Sequence, residues 1–144
     1  MGRFMSYGVA FALLGTVLAA RAHAAVVINE VLADPGGDAN GDGAVDAMDD
    51  EFVELANPTA SPVSLGQWKL SDLVQVRHVF GDDAVIPPFG FFVVFGGGAP
   101  AVSLNAVAAS TGTLGLNNAG DTLTLLNADL AAVDLLAYGS EAGH

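Results

Sequence analysis

Beyond residue 24 the sequence is a succession of short β-branched and aromatic runs, each closed by glycine, proline, asparagine or aspartate, and nowhere do apolar residues recur at a helical spacing. A packed helix needs roughly ten or more residues with an apolar stripe of period 3.6. Shorter runs of period two, interrupted every 8–12 positions or so by turn formers, are strands. Gln67-Trp68-Lys69-Leu70 alternates polar with apolar, so Trp68 and Leu70 share a buried face. Leu73 to Phe80 alternates likewise, with Val74, Val76 and His78 on one side and Gln75, Arg77 and Val79 on the other. Gly90 opens an apolar run, Phe91-Phe92-Val93-Val94-Phe95, of the kind covered on both faces. Further strands are expected at 25–32, 51–56, 63–65, 113–116, 122–126 and 131–138, the last two joined through Asn127-Ala128-Asp129. Phe52 and Leu55 are expected in the core, with Glu51 and Glu54 at a solvent edge, and Gly96 to Gly112 reads as a small-residue loop. About eight short strands make the chain all-β, a sandwich or a barrel.

The first 24 residues follow a different rule. Met1 to Arg3 carry one cationic side chain, Val9 to Ala20 are almost wholly apolar, and Ala22-His23-Ala24 places small residues where signal peptidase reads them. The apolar run falls short of the ~20 residues of a comfortable membrane span. Residues 1–24 are therefore read as a signal peptide and 25–144 as the domain, with an uncleaved anchor, or cleavage after Ala20 or Ala25, as the alternatives. The expected location is secreted, extracellular or on the cell surface, with no membrane contact after cleavage.

From Ala25 the chain keeps two basic residues, Lys69 and Arg77, against all 16 acids, a formal charge of −14. Such a surface repels phosphate backbones and anionic lipid, so neither nucleic acid nor membrane is an expected partner. It suits divalent cations. The absence of cysteine excludes disulfides, zinc-thiolate sites and a thiol nucleophile.

One segment has the spacing of a metal loop. Asp38, Asn40, Asp42, Asp46 and Asp49 fall at positions 1, 3, 5, 9 and 12 of a twelve-residue stretch, with Gly43 at the sharp sixth position and Ala44 offering its carbonyl at the seventh. Val45, at the eighth, is expected to pin the loop to the body. A hard cation taking about 6–8 oxygens, Ca2+ before Mg2+, fits alternating acids of this kind. The loop resembles those of EF-hand, dockerin and thrombospondin-type calcium repeats. It departs from the EF-hand in ending on Asp49 rather than a longer Glu, and in following Pro35-Gly36-Gly37 rather than a helix; Asp49, Asp50 or Glu51 supplies the last oxygen. A solvated acidic turn is the simpler account, and five oxygen donors plus the glycine in register weigh against it.

Several segments in order resemble the lamin-tail domain: Val27-Ile28-Asn29-Glu30-Val31-Leu32-Ala33, Asp50-Glu51-Phe52-Val53-Glu54-Leu55-Ala56-Asn57-Pro58, and Val63 through Asp72 with Trp68 inside it. Ile86-Pro87-Pro88-Phe89-Gly90 with the apolar run after it, Leu116-Asn117-Asn118-Ala119-Gly120-Asp121-Thr122-Leu123, and Val133-Asp134 through Tyr138-Gly139 continue the series. The resemblance implies an immunoglobulin-like β-sandwich and, in bacteria, a secreted or surface module often joined to other domains, without catalytic residues of its own. It also implies a further segment after the Tyr-Gly strand. Either the product is short or the sequence is a fragment, and a sandwich lacking its last strand would expose an edge through which copies could self-associate.

Function follows from what is missing as much as from what is present. His78 lies in an expected strand and His144 is the last residue, and neither sits in a nucleophile or zinc motif. The expectation is a non-catalytic, calcium-stabilised binding or structural module for a protein or surface polymer. The alternatives are an accessory domain of a secreted hydrolase or, from its many carboxylates, a small hydrolase itself.

Overall fold

The structure is a computed structural model that describes residues 26–143, and the expected signal peptide lies outside them. Ten strands form: β1 Val27–Leu32, β2 Phe52–Ala56, β3 Val63–Ser64, β4 Lys69–Ser71, β5 Val76–Val79, β6 Val85–Ile86, β7 Phe91–Phe95, β8 Ala106–Ala108, β9 Gly120–Leu126 and β10 Ala132–Gly139. A 3-10 turn, Ser140–Gly143, follows. Two four-stranded sheets, β1-β2-β7-β8 and β10-β9-β4-β5, pack as a sandwich, and β3 pairs with β6 at one end. All pairings are antiparallel except β7 with β8.

Alternation decides which side chains meet between the sheets. Val53 and Leu55 of β2 and Phe92 and Val94 of β7 point inward from one sheet; Leu70, Leu123 and Leu125 point inward from the other. Phe80 joins them beyond β5, edge-on to Phe92 at 5.7 Å between ring centroids. Trp68 and Tyr138 pack at the margin of this core. Asn57, at the β2 exit, is buried with its polar atoms engaged: its amide donates to the Ser61, Ile86 and Pro87 carbonyls, and its Oδ1 accepts from Thr59. Its place before Pro58 is thus that of a turn clamp.

The two flanks of the sandwich are closed differently. On one, β1 and β10 each carry a bulge, and Asp134 reaches across to accept the Ile28 N–H at 2.7 Å. On the other, Ser110 accepts the Val79 N–H and donates its own N–H to His78 Nδ1, while the Thr111 hydroxyl donates to the Arg77 carbonyl. Bulges and side-chain caps of this kind blunt sheet edges against further pairing.

Several strand limits depart from the sequence reading. Leu73 and Val74 are exposed, because Asp72 Oδ1 accepts the Val74 and Gln75 N–H groups and turns the chain there, so the strand begins only at Val76. Residues 113–116 pair with no strand, and Gly115 within them adopts a φ of +58°, whereas 106–108, inside the stretch read as loop, form β8. Phe52 faces outward, edge-on to Phe95 at 5.7 Å, as its register opposite Phe95 requires. Phe91 is 48% exposed, so β7 is covered on one face fully and on the other only in part.

Candidate cation site in the acidic loop

The β1–β2 connection is long for an antiparallel pair, and its backbone is ordered by its own carboxylates. Asp38 accepts the N–H groups of Gly41, Asp42 and Gly43. Asn40 Oδ1 accepts the Asp42 N–H, Asp42 Oδ1 the Ala44 N–H, and Asp46 Oδ1 those of Met48 and Asp49. Each is a local Asx-type closure that aspartate and asparagine make readily. The N–H groups of Asp49 and Met48 hold the Asp46 carboxyl below its usual range. Gly41 and Gly43 adopt φ of +72° and +92°, a turn conformation that other residues enter only with strain.

Asp50 closes the loop at its base. Its side chain is buried, with Oδ1 accepting the Ala39 and Asn40 N–H groups and Oδ2 the Asp46 N–H, so it joins the two arms. Those N–H groups, Asn40's first and Asp46's next, hold its carboxyl down against the opposing effect of burial. Glu51 turns the other way. It is buried rather than at a solvent edge, and its Oε2 accepts the Leu116 N–H at 3.2 Å. Burial pushes its carboxyl up, against the pull of the Leu116 and Gly115 N–H groups and of Arg77. Of the three candidates for a last oxygen, Asp50 serves as a backbone clamp and Glu51 points towards the 115–116 segment. Asp49, whose carboxylate accepts no hydrogen bond among the described residues, stands against the crossover described next.

That crossover, between β7 and β8, is what the loop rests on. Gly96, Gly97 and Gly98 lie so close beneath it that a Cβ on any of them would collide: with the Met48 carbonyl at Gly96, with the Asp49 carboxylate at Gly97, and with the Asp42 carboxylate and Asn40 amide at Gly98. The backbones are also tied, by Gly96 N–H to the Glu51 carbonyl, Gly97 N–H to that of Asp49 and Ala101 N–H to that of Asn40. The Ala99 N–H adds a bond to Asp42 Oδ2 at 3.2 Å. The triple glycine is thus a ledge, and Asn40, Asp42 and Asp49 gather over it.

The predicted donors therefore divide. Asn40, Asp42 and Asp49 come together above the ledge, Asp38 folds beneath the 41–43 turn, and Asp46 caps residues 48–49. Among the described residues no three histidine, cysteine, aspartate or glutamate side chains stand close enough to hold a metal as they are. The donor chemistry nonetheless suits a hard cation, because all are oxygens and each carboxylate has more acceptor sites than the N–H groups occupy. Val45, expected to anchor the loop, is 70% exposed, and Met48 beside it 55%. The anchor is instead the glycine ledge, whose only sequence signal is three consecutive glycines after an apolar strand.

The fold is shared with known proteins. Residues 19–140 match the family model described as Lamin Tail Domain, a non-enzymatic immunoglobulin-like interaction domain. No curated protein matches the chain. The match spans most of the sequence and agrees with the two-sheet sandwich, so the chain belongs to the lamin tail domain family.

Proposed function

We propose that the chain is a secreted, non-catalytic binding module, stabilised by one Ca2+ in the β1–β2 loop and acting on a protein or surface polymer. The observation that carries the calcium reading is the seating of Asn40, Asp42 and Asp49 over Gly96–Gly98, together with five aspartates in 13 residues and no cationic side chain among them. Of the two cations in the described residues, Arg77 pairs with Asp72 at 2.6 Å, within β5 and the turn before it. An ion held by Asp38, Asn40, Asp42, Asp46, Asp49 and the Ala44 carbonyl would relieve carboxylate repulsion and fix the loop on the crossover. With ~1 mM calcium and a dissociation constant near ~0.1 mM, binding to the folded state adds about 1.4 kcal/mol.

The module reading rests on the family and on the paucity of catalytic groups. His78 is buried in the sandwich, and its Nδ1 already accepts a backbone N–H, so it is placed as a structural residue. Self-association through β10 is the weaker reading, because a bulge and Asp134 interrupt that edge. Calorimetric titration of chelator-stripped protein with CaCl2 and, separately, MgCl2 tests the proposal. A single calcium site at sub-millimolar affinity, weaker for magnesium and lost in Asp42→Ala, supports it. No heat at millimolar calcium refutes the calcium part, and turnover of ester, phosphate or glycoside substrates that survives repurification refutes the module part.

A further inference from the structure

At the flank where β5 faces β7 and β8 lies a pocket of about 320 Å³. Its lining is polar and apolar in about equal measure, the apolar part coming from Phe92, Val107 and Leu104 with the small Ala84 and Ala106. Its polar groups are mostly acceptors. Asp83 is exposed, with Oδ1 standing 3.0 Å from where a Cβ on Gly81 would lie, and Gly81 lines the same pocket. Asn105 directs its amide nitrogen to the Val85 and Phe91 carbonyls, at 3.1 and 2.9 Å, which leaves Oδ1 without a donor among the described residues. His78 lines the pocket too, but its Nε2 is shut off from solvent. Burial holds its imidazole neutral, with its pKa lowered to about 4, so it brings no positive charge to the site. No lysine or arginine lines the pocket.

We infer that this pocket takes the side chain of a lysine presented by a partner polypeptide. The aliphatic stem would lie along Phe92, Leu104 and Val107, and the ammonium would reach the Asp83 carboxylate and Asn105 Oδ1. A carboxylate and a neutral amide oxygen in a lining that also offers apolar side chains complement a cation with an apolar stem. The polypeptide source follows from the surroundings. Leu104, 42% exposed, lines the pocket next to Asn105 and would be covered by the chain carrying the lysine. The inference rests on the binding-module reading; the pocket shares no residue with Asp38–Asp50, and titration with and without calcium separates the two readings, since Leu104 is tied through Ala101 to Asn40.

The test uses the full chain, 15N-labelled, titrated with the peptide acetyl-Ala-Val-Lys-Val-Ala-amide in buffer at physiological salt, with and without calcium. The expected result is saturable shifts confined to Asn105, including its side-chain amide, and to Ala84, Ala106 and Val107. The norleucine peptide should bind at least tenfold more weakly, as should butylammonium chloride. Asp83→Asn, at an exposed position, should weaken the lysine peptide to the level of the norleucine one while leaving the rest of the spectrum in place. Equal binding of the norleucine peptide overturns the inference, since the carboxylate would then be idle. Equal affinity for butylammonium overturns the polypeptide source. Absence of shifts, or shifts spread over the acidic surface that vanish with added salt, overturns the site.

Discussion

His78 shows how a single buried group ties this fold to pH. It is 4% exposed, edge-on to Phe80 at 4.5 Å between ring centroids, and its Nδ1 accepts the Ser110 N–H. That bond requires the neutral ring, and burial lowers the pKa from 6.5 to about 4. The unfolded chain therefore binds a proton between those values that the folded chain refuses. The stabilisation is complete above pH 6.5 and is lost as pH falls towards 4, by about 3 kcal/mol at most. Urea unfolding at pH 7.5 and pH 5 should show this loss in the native protein, and His78→Leu should flatten the slope over that interval while costing stability at pH 7.5. Asp50 has the opposite charge and the same logic. Its carboxylate holds three backbone N–H groups, so Asp50→Ala should cost about 3 kcal/mol, measurable by the same unfolding curves.

At the scale of elements, the β1–β2 loop is seated on the β7–β8 crossover by backbone hydrogen bonds and by the absence of side chains at Gly96 to Gly98. A methyl group at Gly96 would meet the Met48 carbonyl, a backbone atom unable to swing aside, whereas one at Gly36 meets nothing within 4 Å. Gly96→Ala should therefore lower stability by about 2–3 kcal/mol and Gly36→Ala by no more than ~0.5 kcal/mol, compared by denaturant midpoint. This pairing also marks where sequence reasoning stops. Period-two alternation locates β4, whose Leu70 is fully buried, while β2, β7, β9 and β10 are legible as apolar or β-branched runs closed by turn residues. It extended β5 too early, since Leu73 and Val74 are apolar yet sit on a turn that Asp72 shapes. It missed β8, whose Ala-Val-Ala carries almost no pattern and forms only because β7 offers it a parallel partner. The donor spacing of the acidic loop was legible because it is local. The ledge was not, because a glycine's long-range neighbour leaves no mark on the residues beside it. Glu51 shows the same limit: its partner, the Leu116 N–H, is 65 residues away.

The molecule as a whole is an anionic sandwich without disulfides. With 16 acids against the Lys69 and Arg77 cations after residue 24, it should not be retained on immobilised duplex DNA at ~50 mM salt, where cationic contacts would otherwise be strongest. Retention that disappears only at higher salt would contradict that electrostatic reading. The same charge makes a divalent cation the natural complement of the acidic loop, and binding it would join two connections from opposite ends of the strand order β1-β2-β7-β8. The measurement that tests this most directly is a crystal structure from calcium-containing solution with anomalous data. One ion is expected in the β1–β2 loop, about 2.3–2.6 Å from oxygens of Asp38, Asn40, Asp42, Ala44 and Asp46, with Asp49 completing the shell above Gly97. A loop without an ion at millimolar calcium, its carboxylates still turned to their own backbone, would contradict it and leave Asp38 to Asp50 as a self-capped acidic turn.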